Sequence, residues 1–244
     1  MKTDQSNEIP QKAEKLYEGK AKIIYATADP DLAIQYFKDD ASAFNAKKKG
    51  TIREKGIVNN AVSSRIFEFL GENGVRTHFV KKLSEREMLV QRVSIIPVEV
   101  VMRNVVAGSL AKRMGIPEGK KLPKSILEFY YKDDALDDPM INEYHMLAFS
   151  MAVEEEIAKI KEAAQMVNGL LTGMFDKVGI DLVDFKLEFG RSKGGILLAD
   201  EISPDSCRLW DQKTGEKMDK DRFRFDLGKV EESYGEIARR IGGV

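Results

Sequence analysis

The feature that most constrains the fold is the stretch LVDFKLEFG at residues 182–190, followed by the turn residues RSKGG and a second apolar run, ILLADE. Alternate residues of LVDFKLEFG are apolar, so a strand there would have one apolar face, made of Val183, Phe185, Leu187 and Phe189. Glycine-containing turn residues between two such runs are typical of a β-hairpin. The pattern therefore predicts an antiparallel hairpin with one buried face.

The opposite face of this strand carries alternating charges, including Lys186 and Glu188. If the hairpin centres on Gly194, Glu188 and Asp200 are direct cross-strand neighbours, with Cβ atoms ~5 Å apart. The pairing depends on the register, because a slip of one residue moves each side chain to the other face. Two facing carboxylates repel each other unless a cation lies between them, and Mg²⁺ binds one or two carboxylates together with substrate phosphates. The hairpin predicts a magnesium site at Glu188 and Asp200, with a merely solvated charged face as the alternative.

Two lysines follow Gly19 in the segment YEGKAK. In a strand, Lys20 and Lys22 would lie on the same face, just after a glycine that allows a ligand to approach the backbone. Beside a magnesium–phosphate site, such a pair is expected to contact the phosphates of a nucleoside triphosphate. Lysines that serve only solubility are the alternative.

A second anion site is predicted where a strand meets a helix, within residues 95–115. The strand ends near Arg103, and a helix is expected to start at Ser109. Free N–H groups at a helix start, a serine hydroxyl and an arginine can together bind phosphate. Arg208, in the segment SPDSCRLWD, adds a second guanidinium, and two arginines suit a phosphate monoester. The alternative is that Ser109 only caps its helix.

The chain reads as strand-rich in its first half and as helix plus hairpin in its second half. Asn59 and Asn60 are expected to cap a helix that stops near Gly71, and another helix closes the chain. A long helix is predicted by apolar residues three and four positions apart: Ile157, Ile160, Ala164, Val167, Leu171, Met174 and Val178. Together these elements predict an α+β protein of two lobes, residues 1–95 and 96–244.

Charge and composition exclude several classes of protein. The 244 residues contain 39 Lys and Arg against 40 Asp and Glu, so no basic excess points to a nucleic-acid partner. Two histidines and one cysteine cannot build a zinc finger or a disulfide framework, and Cys207 is expected to be structural. No apolar run reaches the ~20 residues of a membrane span. We expect a cytoplasmic protein with no membrane partner and no catalytic nucleophile.

The motifs, taken in order, resemble the SAICAR synthetase family of purine biosynthesis. The resemblance extends over nearly the whole chain, and its most specific segments are IIPVEVVMRNVVAGS and LVDFKLEFG. The other matching segments are LYEGKAKIIY, DDASAF, KGIVNN, YYKDD, DDPMIN, DEISPDSCRLWD and KMDKDRFR.

The resemblance implies a two-lobed SAICAR synthase-like fold of antiparallel sheets, related to protein kinases and ATP-grasp enzymes, with ATP in the cleft between the lobes. It also implies an ATP-dependent ligase. The substrates would be ATP, L-aspartate and 5-amino-1-(5-phosphoribosyl)imidazole-4-carboxylate (CAIR), and the products SAICAR, ADP and phosphate. Mg²⁺ would be the cofactor, and the reaction would pass through an acyl phosphate.

The resemblance also implies roles for individual residues. Many members of the family have Asp at the position of Asn45, so a conserved acid is not expected there. The implied contacts are Lys20, Lys22 and Lys132 to ATP; Glu188 and Asp200 to Mg²⁺; Arg103, Ser109 and Arg208 to the ribonucleotide phosphate; and Asp40, Ser42, Asn45, Lys186 and Asp205 to CAIR and aspartate.

Two other classes of function stay open at this point. A kinase-like phosphotransferase acting on a phosphorylated sugar or inositol would turn over ATP without aspartate. A non-catalytic nucleotide-binding module would tolerate the loss of Glu188 or Asp200, although both are present. The sequence also leaves a homo-oligomer open.

Overall fold

The structure is a computed structural model that describes residues 10–43 and 48–242. Its first sheet is antiparallel and belongs to the N-terminal part of the chain. The elements there are β1 (Lys15–Glu18), β2 (Lys22–Ala26), β3 (Leu32–Phe37), β4 (Asp40–Ala43), β5 (Lys48–Thr51), α1 (Lys55–Glu72), β6 (Phe79–Lys82) and β7 (Glu87–Gln91). The strands of the first sheet follow the order β1–β2–β3–β7–β6, while β4 and β5 form a separate pair.

The second sheet is also antiparallel and is built around one long central strand. The elements are β8 (Ser94–Val105), α2 (Gly108–Met114), β9 (Lys121–Tyr131), β10 (Met140–Ile141), α3 (Glu143–Ala148), α4 (Glu154–Asp176), β11 (Ile180–Ser192), β12 (Gly195–Ala199), β13 (Cys207–Asp211), α5 (Asp221–Arg224) and α6 (Val230–Ile241). The order is β10–β9–β8–β11–β12, and β13 also pairs with β11. The predicted α+β class with antiparallel sheets is confirmed.

The predicted hairpin is present as β11 and β12, but its register differs by one residue. Glu188 pairs with Ala199, and Ser192 pairs with Gly195. The prediction that Glu188 faces Asp200 directly is therefore wrong. The reason is the loop: Lys193 and Gly194 form a two-residue connection, the commonest kind in hairpins, whereas a hairpin centred on Gly194 needs an odd number of loop residues.

The long helix is confirmed as α4. Its buried residues are Ile157, Ile160, Ala164, Val167, Leu171 and Phe175, and this face packs against β11, β8 and β12. The predicted stripe ran slightly too far, because α4 ends at Asp176 and Val178 lies beyond it. The C-terminal helix is confirmed as α6.

The predicted start of the first helix is wrong. Asn59 and Asn60 do not cap it, because α1 begins at Lys55 and both asparagines are buried inside it. The Asn60 side-chain amide donates to the carbonyl groups of Ser84 and Glu85, at 2.9 and 3.0 Å. The polar Asn60 side chain can therefore be buried within α1 because it hydrogen-bonds to a segment that is distant in sequence.

One hydrophobic cluster joins the two sheets. It contains Phe37 and Met88 from the first sheet together with Val100 and Leu187 from the second. The chain passes from one sheet to the other within the short segment 92–93. The division into lobes at residues 1–95 and 96–244 stays a prediction. Within 10–43 and 48–242, no helix combines the length and the apolar character needed to cross a membrane.

Candidate active site

A cavity of about 450 Å³ lies between the two sheets. We call it the intersheet cavity. Its apolar wall includes Ile24, Ala33, Val90 and Val93. Four charged residues that line it, Lys22, Lys132, Glu188 and Asp200, are called its charged wall. The charged residues come from β2, from the end of β9, from β11 and from the end of β12, so the cavity depends on how the sheets pack.

The two carboxylates predicted to hold a metal both line this cavity, although they are not cross-strand neighbours. Because Glu188 pairs with Ala199, a regular strand would direct the next side chain, that of Asp200, to the other face. Asp200 instead follows the last residue of β12 and has a left-handed backbone with φ of +64°. That turn brings its carboxylate back to the cavity.

Each carboxylate in the cavity has an ammonium partner. Asp200 contacts Lys22, and Glu188 contacts both Lys132 and Lys186, the latter at 2.8 Å. Burial alone would raise the pKa of Asp200, but the ammonium groups of the three lysines outweigh it and hold that pKa well below its usual range. The carboxylate is therefore ionised at neutral pH.

Lys186 and Lys22 are held in their charged form by the same kind of contact. Lys186 lies between Glu99, at 2.7 Å, and Glu188. Burial alone would lower the pKa of Lys186, but Glu188 and Glu99 raise it well above its usual value. At Lys22, burial likewise lowers the pKa and the Asp200 carboxylate raises it, and the net effect is a raised pKa. The charged wall thus carries ammonium groups and carboxylates side by side.

Lys20 does not join Lys22, so the prediction that the two share a strand face is wrong. β2 begins only at Lys22, and Lys20 lies in the turn before it, where the Gly19 N–H donates to the Lys22 carbonyl. The Lys20 ammonium pairs with Asp134 at 2.6 Å. Lys20 instead lines a separate cavity of about 520 Å³ together with Asp40 and Ser42.

The predicted anion-site residues do come together. Arg103 donates to the Ser109 hydroxyl at 3.0 Å, and Arg103 and Arg208 both donate to Asp184, at 3.1 and 3.0 Å. The alternative role of Ser109 as a helix cap is wrong, because Ala107 is the N-cap residue of α2. Gly108 has a φ of +53°, and a Cβ there would lie 2.8 Å from the Arg208 guanidinium, so this close approach requires glycine.

Sequence reasoning missed Asp184 as a member of this cluster. Asp184 on β11 pairs with Arg103 on β8 and with Arg208 on β13, so the three residues form one row across the sheet. The alternating charges of LVDFKLEFG marked Asp184 as polar, but only the strand order shows its partners. Glu128 and Asp221 complete the cluster, accepting from Arg103 at 2.6 Å and from Arg208 at 2.9 Å.

The residues predicted to contact CAIR and aspartate do not all line one cavity. Asp40 and Ser42 line the cavity that contains Lys20, whereas Lys186 contacts Glu188 beside the intersheet cavity. Asp205 is nearly buried and accepts from Lys55 at 2.6 Å and from the Tyr234 hydroxyl at 2.8 Å.

Two further predictions concern single residues. Asn45 lies outside the residues that the structure describes. Cys207 is buried, and burial raises the pKa of its thiol, as expected for a structural cysteine.

Comparison with known proteins agrees with the resemblance. A sequence model of the SAICAR synthetase family matches residues 15–241. A phosphoribosylaminoimidazole-succinocarboxamide synthase from Clostridium botulinum (strain Loch Maree / Type A3) is 55% identical over 231 residues, covering 95% of this chain and 99% of the relative.

Solved structures agree as well. A crystal structure of the same synthase from Ehrlichia chaffeensis superimposes with a TM-score of 0.92 at 49% identity, covering 95% of this chain and 99% of that one. A SAICAR synthetase in complex with ADP superimposes with a TM-score of 0.90 at 51% identity, covering 93% and 97%. On sequence and on fold, the chain belongs to the SAICAR synthetase family.

Proposed function

We propose that this chain catalyses the ATP-dependent joining of L-aspartate to the carboxylate of CAIR, which yields SAICAR, ADP and phosphate for purine biosynthesis. Relatives that match nearly their whole length carry the name of this synthase, and one SAICAR synthetase was solved with ADP. The observation that carries the proposal is the intersheet cavity, where Lys22 and Lys132 meet Glu188 and Asp200. Such a set suits phosphoryl transfer.

The chemistry explains why ATP is needed. A carboxylate is a poor acylating group, because its leaving group would be oxide. A CAIR carboxylate oxygen takes the γ-phosphoryl group, the bond from the γ-phosphorus to the bridging oxygen breaks, and ADP leaves. The aspartate amine then attacks the acyl phosphate carbon, the amide bond forms, and phosphate departs as the amine releases a proton. Charge neutralisation by lysines and alignment of the reactants serve this sequence, so no nucleophilic side chain is required.

We propose ATP in the intersheet cavity, with Lys22 and Lys132 at its phosphates. Lys22 is nearly buried and charged, and Lys132 reaches Glu188 from the end of β9. Lys20 is proposed as a phosphate contact from the resemblance alone, since its ammonium pairs with Asp134. A relation of the fold to protein kinases and ATP-grasp enzymes belongs to the same proposal.

The donor set in the cavity fits Mg²⁺. Within the described parts of the chain, no group of three His, Cys, Asp or Glu side chains could hold a metal by itself. Mg²⁺ normally needs only one or two carboxylates, because phosphate oxygens and waters complete its shell. Glu188 and Asp200 would hold it, and both line the cavity. When bound, Mg²⁺ would neutralise charge on the phosphates of ATP.

For the ribonucleotide phosphate we propose the cluster of Arg103, Ser109 and Arg208. Its guanidinium groups already have carboxylate partners, so the phosphate would share them with Asp184 rather than meet free cations. For the rest of CAIR and for aspartate we keep the residues implied by the resemblance, namely Asp40, Ser42, Asn45, Lys186 and Asp205. A cytoplasmic location and a homo-oligomer also remain proposals.

The experiment is an omission series. Protein, Mg-ATP, CAIR and L-aspartate are mixed, each component is left out in turn, and ADP and SAICAR are measured. We expect SAICAR only in the complete mixture, with ¹⁸O passing from the CAIR carboxylate to phosphate. ADP formation at the full rate without aspartate would favour the phosphotransferase alternative instead.

A further inference from the structure

The backbone of Asp200 adopts a conformation that is uncommon for residues other than glycine, although aspartate accepts it more readily than most. Its φ of +64° lies in the left-handed region, where the side chain of an L-residue crowds the backbone. The turn occurs directly after β12 and aims the carboxylate into the intersheet cavity. A peptide in this conformation is held in place by contacts with the surrounding structure.

A side chain from the other sheet contacts this peptide. The Gln35 side-chain amide donates to the Asp200 carbonyl at 3.2 Å, across a separation of 165 residues in sequence. Gln35 lies in the middle of β3, between Ile24 and Met88, and is only 2% exposed. The amide also approaches the Met88 sulfur, a weak acceptor, at 3.9 Å. The Asp200 carbonyl is thus the strong partner of this buried amide.

The residues around Asp200 are anchored by different groups. Before it, the Leu198 carbonyl accepts from the His78 backbone N–H at 2.8 Å. After it, the Ile202 carbonyl accepts from the Ser63 hydroxyl at 3.0 Å. The His78 imidazole also lies beside the Asp200 carbonyl, and burial lowers the pKa of His78 to about 4, so it is neutral. Two polar side chains therefore meet the Asp200 carbonyl: the Gln35 amide, which donates to it at 3.2 Å, and the His78 imidazole.

We propose that Gln35 is a positioning residue for the ligase reaction: its amide holds the Asp200 peptide in the left-handed turn and so directs the Asp200 carboxylate toward the magnesium position. The inference rests on the proposed function, because the magnesium position belongs to it. Gln35 also lines the intersheet cavity, so direct contact with the nucleotide is the competing role, and its loss would weaken ADP binding equally with and without Mg²⁺.

The test uses Gln35→Met, which keeps the length and unbranched shape of the side chain and removes the amide. Ser63→Ala is the matched control, since it removes another buried hydrogen bond to a carbonyl of the same loop. Two quantities are measured: the Kd of ADP with and without Mg²⁺, by calorimetry, and the hydrogen exchange of residues 196–203, by mass spectrometry. The ratio of the two Kd values is the magnesium gain.

We expect Gln35→Met to reduce the magnesium gain by about tenfold, the value of one lost hydrogen bond, with the magnesium-free Kd within about twofold of wild type. Exchange in residues 196–203 should be faster. Ser63→Ala should lower the melting temperature and leave the magnesium gain unchanged. If Gln35→Met does not fold, Gln35→Asn, whose amide is one methylene too short to reach, should show the same loss.

A wild-type magnesium gain in the Gln35 variants, or equal losses in the Gln35 and Ser63 variants, would overturn the positioning role. A wild-type protein with no magnesium gain at all would contradict the metal site of the proposed function. In that case hydrogen exchange alone tests whether Gln35 anchors the Asp200 peptide. Unchanged exchange of residues 196–203 in Gln35→Met refutes this anchoring role, and faster exchange supports it.

Discussion

Glu188 and Asp200 are the residues whose loss should affect turnover most directly. Glu188→Gln or Asp200→Asn removes one of two carboxylates in the cavity, so we expect ATP-dependent SAICAR formation to fall by about a hundredfold or more. Because Glu188 is buried against Lys132 and Lys186, Glu188→Gln should also lower the melting temperature, so turnover is compared at a temperature at which each variant is folded. Lys132→Met is the control, because it removes a partner of Glu188 and keeps both carboxylates; it should weaken ATP binding and preserve the magnesium gain. Near-normal turnover in both carboxylate variants would show that Glu188 and Asp200 do not hold the metal.

Arg103 and Arg208 test whether the anion cluster binds ligand or only stabilises the fold. Arg208→Ala should weaken CAIR binding by roughly one to two powers of ten, because charge-assisted hydrogen bonds are lost. Arg103→Ala should do the same. Each change should also lower the free energy of unfolding by about 3–5 kcal/mol, since Arg103→Ala leaves Glu128 and Asp184, and Arg208→Ala leaves Asp184 and Asp221, buried without this partner.

For both arginine variants, the Kd of CAIR, the Kd of ATP and the melting temperature are measured. Ser109→Ala removes a neutral hydroxyl and should cost only about 0.5–1.5 kcal/mol of CAIR binding. Equal losses of ATP and CAIR binding would favour a purely structural role. Unchanged CAIR binding with a collapse of ATP binding would show that the phosphate position is assigned to the wrong cluster.

Asp205 contributes to stability in a pH-dependent way. Burial alone would raise its pKa, but Lys220, Lys55 and the Tyr234 hydroxyl outweigh burial and hold that pKa below its usual range. A carboxyl with a lowered folded-state pKa stabilises the fold above its unfolded pKa of about 4 and loses that contribution as the pH falls further. Asp205→Asn should therefore cost about 3–5 kcal/mol at pH 7, and stability should decline less steeply below about pH 4.

Urea unfolding from pH 7 down to pH 3 measures this effect. Glu155→Gln, which removes an exposed ion pair with Lys159, is the control and should leave the profile unchanged. An Asp205→Asn protein with wild-type stability and weakened CAIR binding would instead make Asp205 a ligand contact, as the resemblance implies.

At the scale of elements, helix α4 stabilises the second sheet through one buried face. Leu171 is fully buried in that face, so Leu171→Ala should lower the free energy of unfolding by about 2–5 kcal/mol. Gln165→Ala, an exposed position on the same helix, is the control and should change stability by less than about 0.5 kcal/mol. Similar values for the two variants would mean that α4 does not pack as described.

Elements differ in how well local pattern predicts them. The apolar stripe of α4 repeats within the helix itself, so residues 157–171 were sufficient to predict it. The pairing of β11 with β12 depends on a two-residue loop, and the alternation of side chains does not distinguish loop lengths. The start of α1 was misplaced because Asn60 bonds to carbonyl groups at residues 84 and 85 rather than to its own helix.

For the whole molecule, a ligand in the intersheet cavity should stabilise both sheets together. The cavity is lined by β2 and β3 of the first sheet and by β11 of the second, and one hydrophobic cluster joins them. Mg-ADP at a hundred times its Kd should therefore raise the free energy of unfolding by about 2.7 kcal/mol. Thermal unfolding at increasing Mg-ADP measures the shift, and Asp200→Asn should show a smaller one. A melting temperature independent of Mg-ADP would contradict nucleotide binding in the folded protein.

The sequence by itself determined the α+β class, the antiparallel hairpin, the helices α4 and α6, and membership of the SAICAR synthetase family. These depend on periodicity and on motif order, which are local properties of a chain. Two separate motifs, one with Arg103 and Ser109 and the other with Arg208, also predict a single cluster, and these residues do lie together through Asp184.

Only the tertiary structure decided which groups meet. Strand order puts Asp184 between Arg103 and Arg208, and the turn before β2 separates Lys20 from Lys22. The left-handed turn at Asp200 directs its carboxylate into the intersheet cavity, whereas the register of a regular strand would have directed it to the other face of the sheet. Register, turn geometry and contacts between sheets involve distant residues, such as Lys22 and Asp200, which are 178 positions apart, and side-chain alternation along one strand carries no information about them.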